Sequence, residues 1–153
     1  MGGAVDFSEW VAPDLVLTLG DRTYTVPAPS VERAKKIIAL AVRAEVDLGI
    51  VRGEVPEEIQ DVLSSLGPQE RPGLGPVSDQ LVADEVAVET ISNMHIYSVF
   101  YWARGEEYAD AIAVLLWAPR SDVAGGEPAP KARTRSPRKS GRSTASASRS
   151  TST

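Results

Sequence analysis

The sequence predicts a mainly α fold of the α+β class, in which an N-terminal β-hairpin precedes about four helices and a disordered basic tail. Two runs of alternating residues near the start predict the hairpin. Apolar residues recur at helical spacing between residues 31 and 117. The C-terminal segment is rich in Ser, Thr, Arg and Lys and cannot offset the entropy of folding. We therefore expect a lead-in, residues 1–14, a hairpin plus helical domain, residues 15–119, and a disordered tail, residues 120–153.

The predicted hairpin covers residues 15–26. Three apolar residues share one face of its first strand: Leu15, Leu17 and Leu19. The Gly20-Asp21 pair suits a two-residue type II′ turn, and Pro27 stops the second strand because proline cannot donate to a ladder. An isolated hairpin is marginally stable. Packing on the chain's own helices is therefore favoured, and pairing of its edge with another copy or a partner is the alternative.

Ser30 is the expected N-cap of the most regular helix, residues 31–48, which Gly49 ends. Its inner face is predicted to hold Val31, Ala34, Ile37, Ile38, Ala41, Ala44 and Leu48. The remaining helical patterns run from Pro56 to Leu66, around Leu81 and Val82 with Ser78 as cap, over 87–103, and over 106–117. The segment QERPGLGP, residues 69–76, predicts a loop. In the lead-in, Phe7, Trp10 and Val11 are expected to contact the core rather than a partner.

Charge is distributed unevenly along the chain. Nine basic and 21 acidic residues give residues 1–130 a net charge of −12, whereas seven basic residues give residues 131–153 a charge of +7. Basic residues spaced through Ser and Thr can contact nucleic acid without sequence preference, or an acidic protein surface. The tail contains no aromatic residue for base stacking. Nucleic acid is accordingly an alternative partner rather than the expected one.

The residues give little indication of catalysis. His95 is the only histidine, and its apolar helix predicts a packed, hydrogen-bonded side chain. The sequence has no cysteine, no Gly-x-Ser-x-Gly elbow and no phosphate-binding loop. The pairs Glu57-Glu58 and Glu106-Glu107 stand at helix starts, where carboxylates offset the helix dipole. We expect a protein without enzymatic activity, metal or cofactor. The sequence also predicts neither a signal peptide nor a membrane span.

Aromatic side chains are concentrated near the end of the predicted helical domain. The candidate partner-binding residues are Tyr97, Tyr101, Trp102, Tyr108 and Trp117. They span more than one helical face, so some must belong to the core. Aromatic residues are also favoured at protein interfaces. A role in the core alone is favoured, and a patch for self-association or partner binding is the alternative.

Three segments carry a resemblance to a known family: DLVLTLGDRTYTVPAPSVERAKKIIAL, LGPVSDQLVADEV and YSVFYWARGEEYADAIAVLLWA. Together they resemble the tail assembly chaperones of long-tailed actinobacteriophages (siphoviruses), over about residues 14–118. The shared features are structural rather than catalytic. They are a hairpin that a proline-rich corner joins to a helix, and an aromatic second half.

The resemblance implies a non-enzymatic role in virion morphogenesis. Such chaperones bind the long helical tape measure protein in the host cytoplasm and keep it soluble while tail tube subunits polymerise around it. They are not expected in the mature virion. A longer form, made by programmed frameshifting, is thought to recruit the tail tube protein. This chain would then be the short form of the pair, and a homo-oligomer is included among its expected assemblies. A structural tail component, a tube or completion subunit, is one alternative, and a nucleic-acid-binding protein acting through the basic tail is another.

Overall fold

The computed structural model describes residues 3–8 and 11–118. Its helices and strands begin and end close to the residues that the sequence patterns indicate. Two antiparallel strands, β1 (Leu15–Leu19) and β2 (Arg22–Val26), come first. Five helices follow, rather than about four: α1 (Val31–Asp47), α2 (Glu57–Ser64), α3 (Val77–Ala83), α4 (Val88–Arg104) and α5 (Glu106–Trp117). The predicted mainly α, α+β class with an N-terminal hairpin is confirmed.

The hairpin forms as its alternation predicts. Leu19 pairs with Arg22 across the Gly20-Asp21 turn, and Leu15 pairs with Val26 at the open end. Gly20 has a φ of +63°, whereas Asp21 is not among the residues with positive φ, which is the pattern of a type II′ turn. Four side chains of one face point inward to different depths: Leu15, Leu17, Tyr24 and Val26. The hairpin packs on the chain's own helices, as favoured.

The prolines after β2 lead directly into α1. The Ser30 hydroxyl accepts a hydrogen bond from the Arg33 N–H at 3.4 Å, so Ser30 is the predicted N-cap. At the other end, Gly49 has a φ of +74°, the left-handed conformation that ends many helices. The predicted inner face is wrong at three positions, since Val31, Ile38 and Leu48 are exposed. Ala39, which the pattern omitted, is fully buried.

The apolar interior consists of two clusters of buried side chains. The first joins the hairpin, the loop before α3, α3 and the start of α4, and its buried members are Leu15, Tyr24, Val26, Leu74, Val77, Leu81 and Ile91. The second joins α1, α4 and α5, and its buried members are Ile37, Ala41, Val99, Phe100, Ala109 and Ile112. Because α4 contributes to both clusters, it is the central element of the described domain.

Several predictions around α2 and α3 are corrected. The helix predicted from Pro56 to Leu66 is shorter, Glu57–Ser64, and none of its residues is buried. Ser78 does not cap α3 but lies inside it, because the helix already begins after Pro76. Leu81 is buried as predicted, whereas Val82 is exposed. The segment 69–76 is a loop, yet its Leu74 is fully buried in the first cluster.

The lead-in does not pack as predicted. Phe7 is 65% exposed and Val11 is 68% exposed, so neither is a core residue. Trp10 lies outside the described residues, as do residues 119–153 and therefore the predicted disordered tail. Among the described helices, none combines the length and the apolar character that crossing a membrane requires.

Candidate partner-binding surfaces

Three of the five aromatic candidates form a continuous row of rings on α4. The rings of Tyr97 and Tyr101 stack with their centroids 6.4 Å apart. The ring of Tyr101 meets that of Trp102 edge to face at 5.0 Å. Offset and edge-to-face contacts between aromatic rings are favourable beyond the area that they bury. The spacing of four residues between Tyr97 and Tyr101 therefore brings their rings into contact on one face of α4.

The same three residues pack against both core clusters. Each of the three is half-buried. The row therefore connects the first cluster to the second. The indole N–H of Trp102 is buried and has no hydrogen-bond partner within the described residues. A buried polar group without a partner costs free energy. Trp102 is therefore placed by packing rather than by a polar contact.

Tyr97 also makes a polar contact between helices. Its hydroxyl donates a hydrogen bond to Asp110 Oδ1 of α5 at 2.8 Å. Burial, and then this bond to the carboxylate, raises the pKa of Tyr97 well above its ordinary value. The phenol thus remains a neutral donor, and it fixes the start of α5 against α4.

Tyr108 belongs to a different part of the molecule from the α4 row. Its ring lies 5.7 Å from that of Phe100 in the second cluster. The nearby Glu45 is buried, and its Oε1 accepts a hydrogen bond from Arg104 Nε at 3.0 Å and forms an ion pair with Arg104 Nη2 at 2.9 Å. Burial, and then the Glu45 carboxylate, raises the pKa of Tyr108. Tyr108 is thus a partly buried neighbour of an ion pair between α1 and α4.

Trp117 is the one aromatic candidate that belongs to neither cluster, and it is 38% exposed. It ends the α5 apolar end, which we define as Val114, Leu115, Leu116 and Trp117. All four side chains are exposed, Leu115 to 63%. Four consecutive helical residues point in different directions around the axis. The last turn of α5 is therefore apolar on all sides and is only partly covered by the described part of the chain.

A second surface feature, which the sequence did not reveal, is a groove of about 510 Å³ beside β1. We call it the β1 groove. Five consecutive residues, 14–18, form one wall. Tyr97, Tyr101 and Glu106 complete the lining. Because successive side chains of a strand point to opposite faces, a wall of five consecutive residues is the edge of the strand itself. Two of the three aromatic residues of the α4 row thus line a groove beside a strand edge.

His95 is packed, as predicted, but its Nε2 is buried without a hydrogen-bond partner among the described residues. Burial, and then the charge of Arg71, lowers the pKa of His95 to about 4. The imidazole is therefore neutral at pH 7. A Cβ added to Gly73 would lie 2.9 Å from its Cδ2, so the 69–76 loop is in close contact with the ring.

Arg33, one of a cluster of basic residues on α1, connects this helix to two other segments of the chain by hydrogen bonds. Its Nε and Nη2 donate to the Pro72 carbonyl at 3.1 and 3.0 Å, and its Nη1 donates to the Pro27 carbonyl at 3.4 Å. Burial lowers the pKa of its guanidinium. In the described residues, no three acidic, histidine or cysteine side chains converge as a metal site would require. The surfaces described above are the candidate functional sites of this small α+β domain.

The family model described as a domain of unknown function (DUF7426) matches residues 5–152. The chain belongs to this family. No curated protein and no solved structure matches the chain.

Proposed function

We propose that this protein is a non-enzymatic tail assembly chaperone of a long-tailed phage, which binds the tape measure protein and keeps it soluble. It would act in the host cytoplasm while tail tube subunits polymerise, and it would be absent from the finished virion. The resemblance of residues 14–118 to such chaperones provides the class of partner. The observation that carries the proposal is the α5 apolar end.

An apolar helical turn that stays largely exposed among the described residues is suited to contact with another helix. Amphipathic helices bind by placing apolar side chains at helical spacing against an apolar surface. The α5 apolar end offers Leu115 and Trp117 at opposite sides of one turn, both exposed. A long, mainly helical tape measure protein would present many such apolar stretches before the tube encloses it. Covering them would prevent their self-association.

Each individual contact would be small, because the α5 apolar end is a single turn. Many copies along one rod-like partner would still hold it by repetition, since linked binding events have a high effective concentration. Small contacts also permit release when the tube subunits arrive. Recruitment of those subunits would belong to the longer frameshifted form.

The test is co-expression of the neighbouring tape measure protein with the full chain, followed by measurement of the soluble fraction and of co-purification. We expect the full chain to keep the tape measure protein soluble. The variant Leu115→Gln should lose most of that effect, because it removes apolar surface at an exposed site. Its matched control is Val31→Gln, at an exposed apolar position at the start of α1, which is 73% exposed.

Two results would overturn the proposal. One is a tape measure protein that remains insoluble with both the full chain and its longer frameshifted form. The other is recovery of this chain from purified virions in stoichiometric amounts, which would identify a structural tail component instead. A slippery run near the stop codon, with an overlapping frame beyond it, is the expected feature of the coding DNA. A version that ends at Pro119 shows whether the folded domain alone binds the tape measure protein.

A further inference from the structure

We propose that the β1 groove is a second binding site, where an extended, basic segment of a partner protein adds to the free edge of β1 as a third strand. The site is distinct from the α5 apolar end. It stands whether or not the tape measure protein is the partner of this chain.

The register of the hairpin identifies the main-chain groups at this edge. Leu19 and Arg22 flank a two-residue turn, so they form a hydrogen-bonded pair. Bonded and non-bonded pairs alternate along an antiparallel ladder. Val16, which faces Thr25, and Thr18, which faces Thr23, are therefore non-bonded pairs. Their N–H and C=O groups point away from β2, toward the groove.

No backbone hydrogen bond from another part of the described chain reaches these groups. An unpaired strand edge is a template for another strand, and natural proteins usually block it with lysines, prolines or a covering segment. Here the edge residues are Val16 and Thr18, and the groove leaves room beside them. Main-chain hydrogen bonds provide the affinity of strand addition, and pockets for alternate side chains provide its specificity.

The lining of the groove indicates the chemistry of the added strand. Asp14 and Glu106 line the groove, and none of its lining residues is basic. The rings of Tyr97 and Tyr101 form the wall opposite the strand edge. Carboxylates attract Lys and Arg, and the faces of tyrosine rings attract the same cations. An extended segment that alternates basic and small apolar residues meets these requirements.

A second copy of this chain is a poorer occupant. Pairing β1 with its own copy would bring both Asp14 side chains and both Glu106 side chains into one site, and like charges at an interface are unfavourable. An acidic partner is disfavoured for the same reason. The expected occupant of the β1 groove is therefore a basic segment of a different protein.

The experiment uses the full chain and a fluorescent, capped peptide of alternating arginine and valine, with anisotropy as the readout. We expect saturable binding. A glutamate–valine peptide of equal length should not bind. An arginine–valine peptide with N-methylated amides should bind much more weakly, because it cannot pair with a strand edge. Equal binding of the methylated peptide would show attraction between charges alone and would overturn the proposal.

Two pairs of variants locate the site. Val16→Pro removes one outward N–H, and about a fivefold loss of affinity is expected for one hydrogen bond. Its control is Thr25→Pro, which makes the same change on the outer edge of β2, across the ladder from Val16. Glu106→Gln should weaken binding, whereas Glu57→Gln should not. Both glutamates begin a helix, and Glu57 is not among the groove's lining residues.

The glutamine pair keeps the test decisive if the proline variants fail to fold. Equal effects of Glu106→Gln and Glu57→Gln would overturn the assignment to the β1 groove. So would the absence of peptide binding to the folded full chain. A dimer in light scattering that Val16→Pro converts to a monomer would show that a second copy occupies the edge, and this result would also overturn the proposal.

Discussion

Two nitrogens of Arg104 lie close to one carboxylate oxygen of Glu45: Nε donates a hydrogen bond to Oε1 at 3.0 Å, and Nη2 forms an ion pair with it at 2.9 Å. The Glu45 side chain is 8% exposed, whereas that of Arg104 is 39% exposed. The pair joins the last turn of α4 to α1. Because Glu45 is the more buried partner, loss of Arg104 and loss of Glu45 should change the stability of the domain by different amounts.

Removal of the arginine should cost more than removal of the glutamate. Arg104→Met leaves a buried carboxylate unpaired, and we expect about 1–3 kcal/mol of destabilisation. Glu45→Met removes the buried charge together with its need for a partner, so the free energy of unfolding should change less. Urea unfolding of both variants measures the difference. Equal losses would mean that Glu45 is solvated despite its low exposure.

The stability of the domain should fall as the pH drops from about 6.5 toward about 4, because of His95. Burial, and then Arg71, lowers the pKa of His95 to about 4 in the folded chain, from its ordinary value of 6.5. Within this window the unfolded chain binds the proton and the folded chain does not, so stability rises with pH. The full contribution is about 3 kcal/mol. Urea unfolding across this range, compared with His95→Gln, isolates the histidine. Parallel curves for the two proteins would contradict the assignment.

Gly75 should tolerate a side chain less well than Gly49. Both have positive φ, +52° and +74°, so alanine at either position costs about 1–2 kcal/mol of backbone strain. A Cβ on Gly75 would also lie 2.6 Å from Arg33 Cζ, whereas one on Gly49 meets nothing within 4 Å. Gly75→Ala should therefore be the more destabilising change in thermal unfolding. In an Arg33→Ala background the excess should disappear, and its persistence would exclude the arginine as the cause.

Substitution of Trp102 should mainly lower the stability of the domain, whereas substitution of Trp117 should mainly weaken partner binding. Trp102 is half-buried against both clusters, so Trp102→Ala should cost about 3 kcal/mol, the low end for a large side chain. Trp117 ends α5 and is 38% exposed, so Trp117→Ala should cost less stability than Trp102→Ala. It should nevertheless weaken co-purification of the tape measure protein. A melting temperature unchanged by Trp102→Ala would instead place that residue at an interface.

The elements that sequence analysis placed correctly depend on neighbouring residues. The hairpin followed from alternation and a Gly-Asp turn, the N-cap from Ser30, and α5 from its period and its paired glutamates. The bounds predicted for α5, 106–117, are those observed. In each case the determining contacts lie within a few positions of the chain.

The contacts that sequence analysis missed join distant positions. The residues around Arg33 do not indicate its contacts, because the acceptor of two of its hydrogen bonds is Pro72, 39 residues away. Leu74 looked like a loop residue, yet that loop folds into the first cluster. The β1 groove exists only because α4 and the start of α5 lie beside the strand edge. The aromatic residue types indicated candidate contact residues. Their division into a packed row on α4 and an exposed Trp117 could be seen only in the folded structure.

The absence of any buried residue in α2 has a consequence for how the domain opens. Local opening costs least where few apolar contacts are lost. We expect α2 to detach while α1, α4 and α5 stay folded. Its amides should then exchange with solvent by a fast local route, whereas those of α4 should exchange only through global unfolding. Within the described domain, a protease that acts on the native protein should therefore cut first between Gly53 and Gly67, and the two resulting fragments should remain associated.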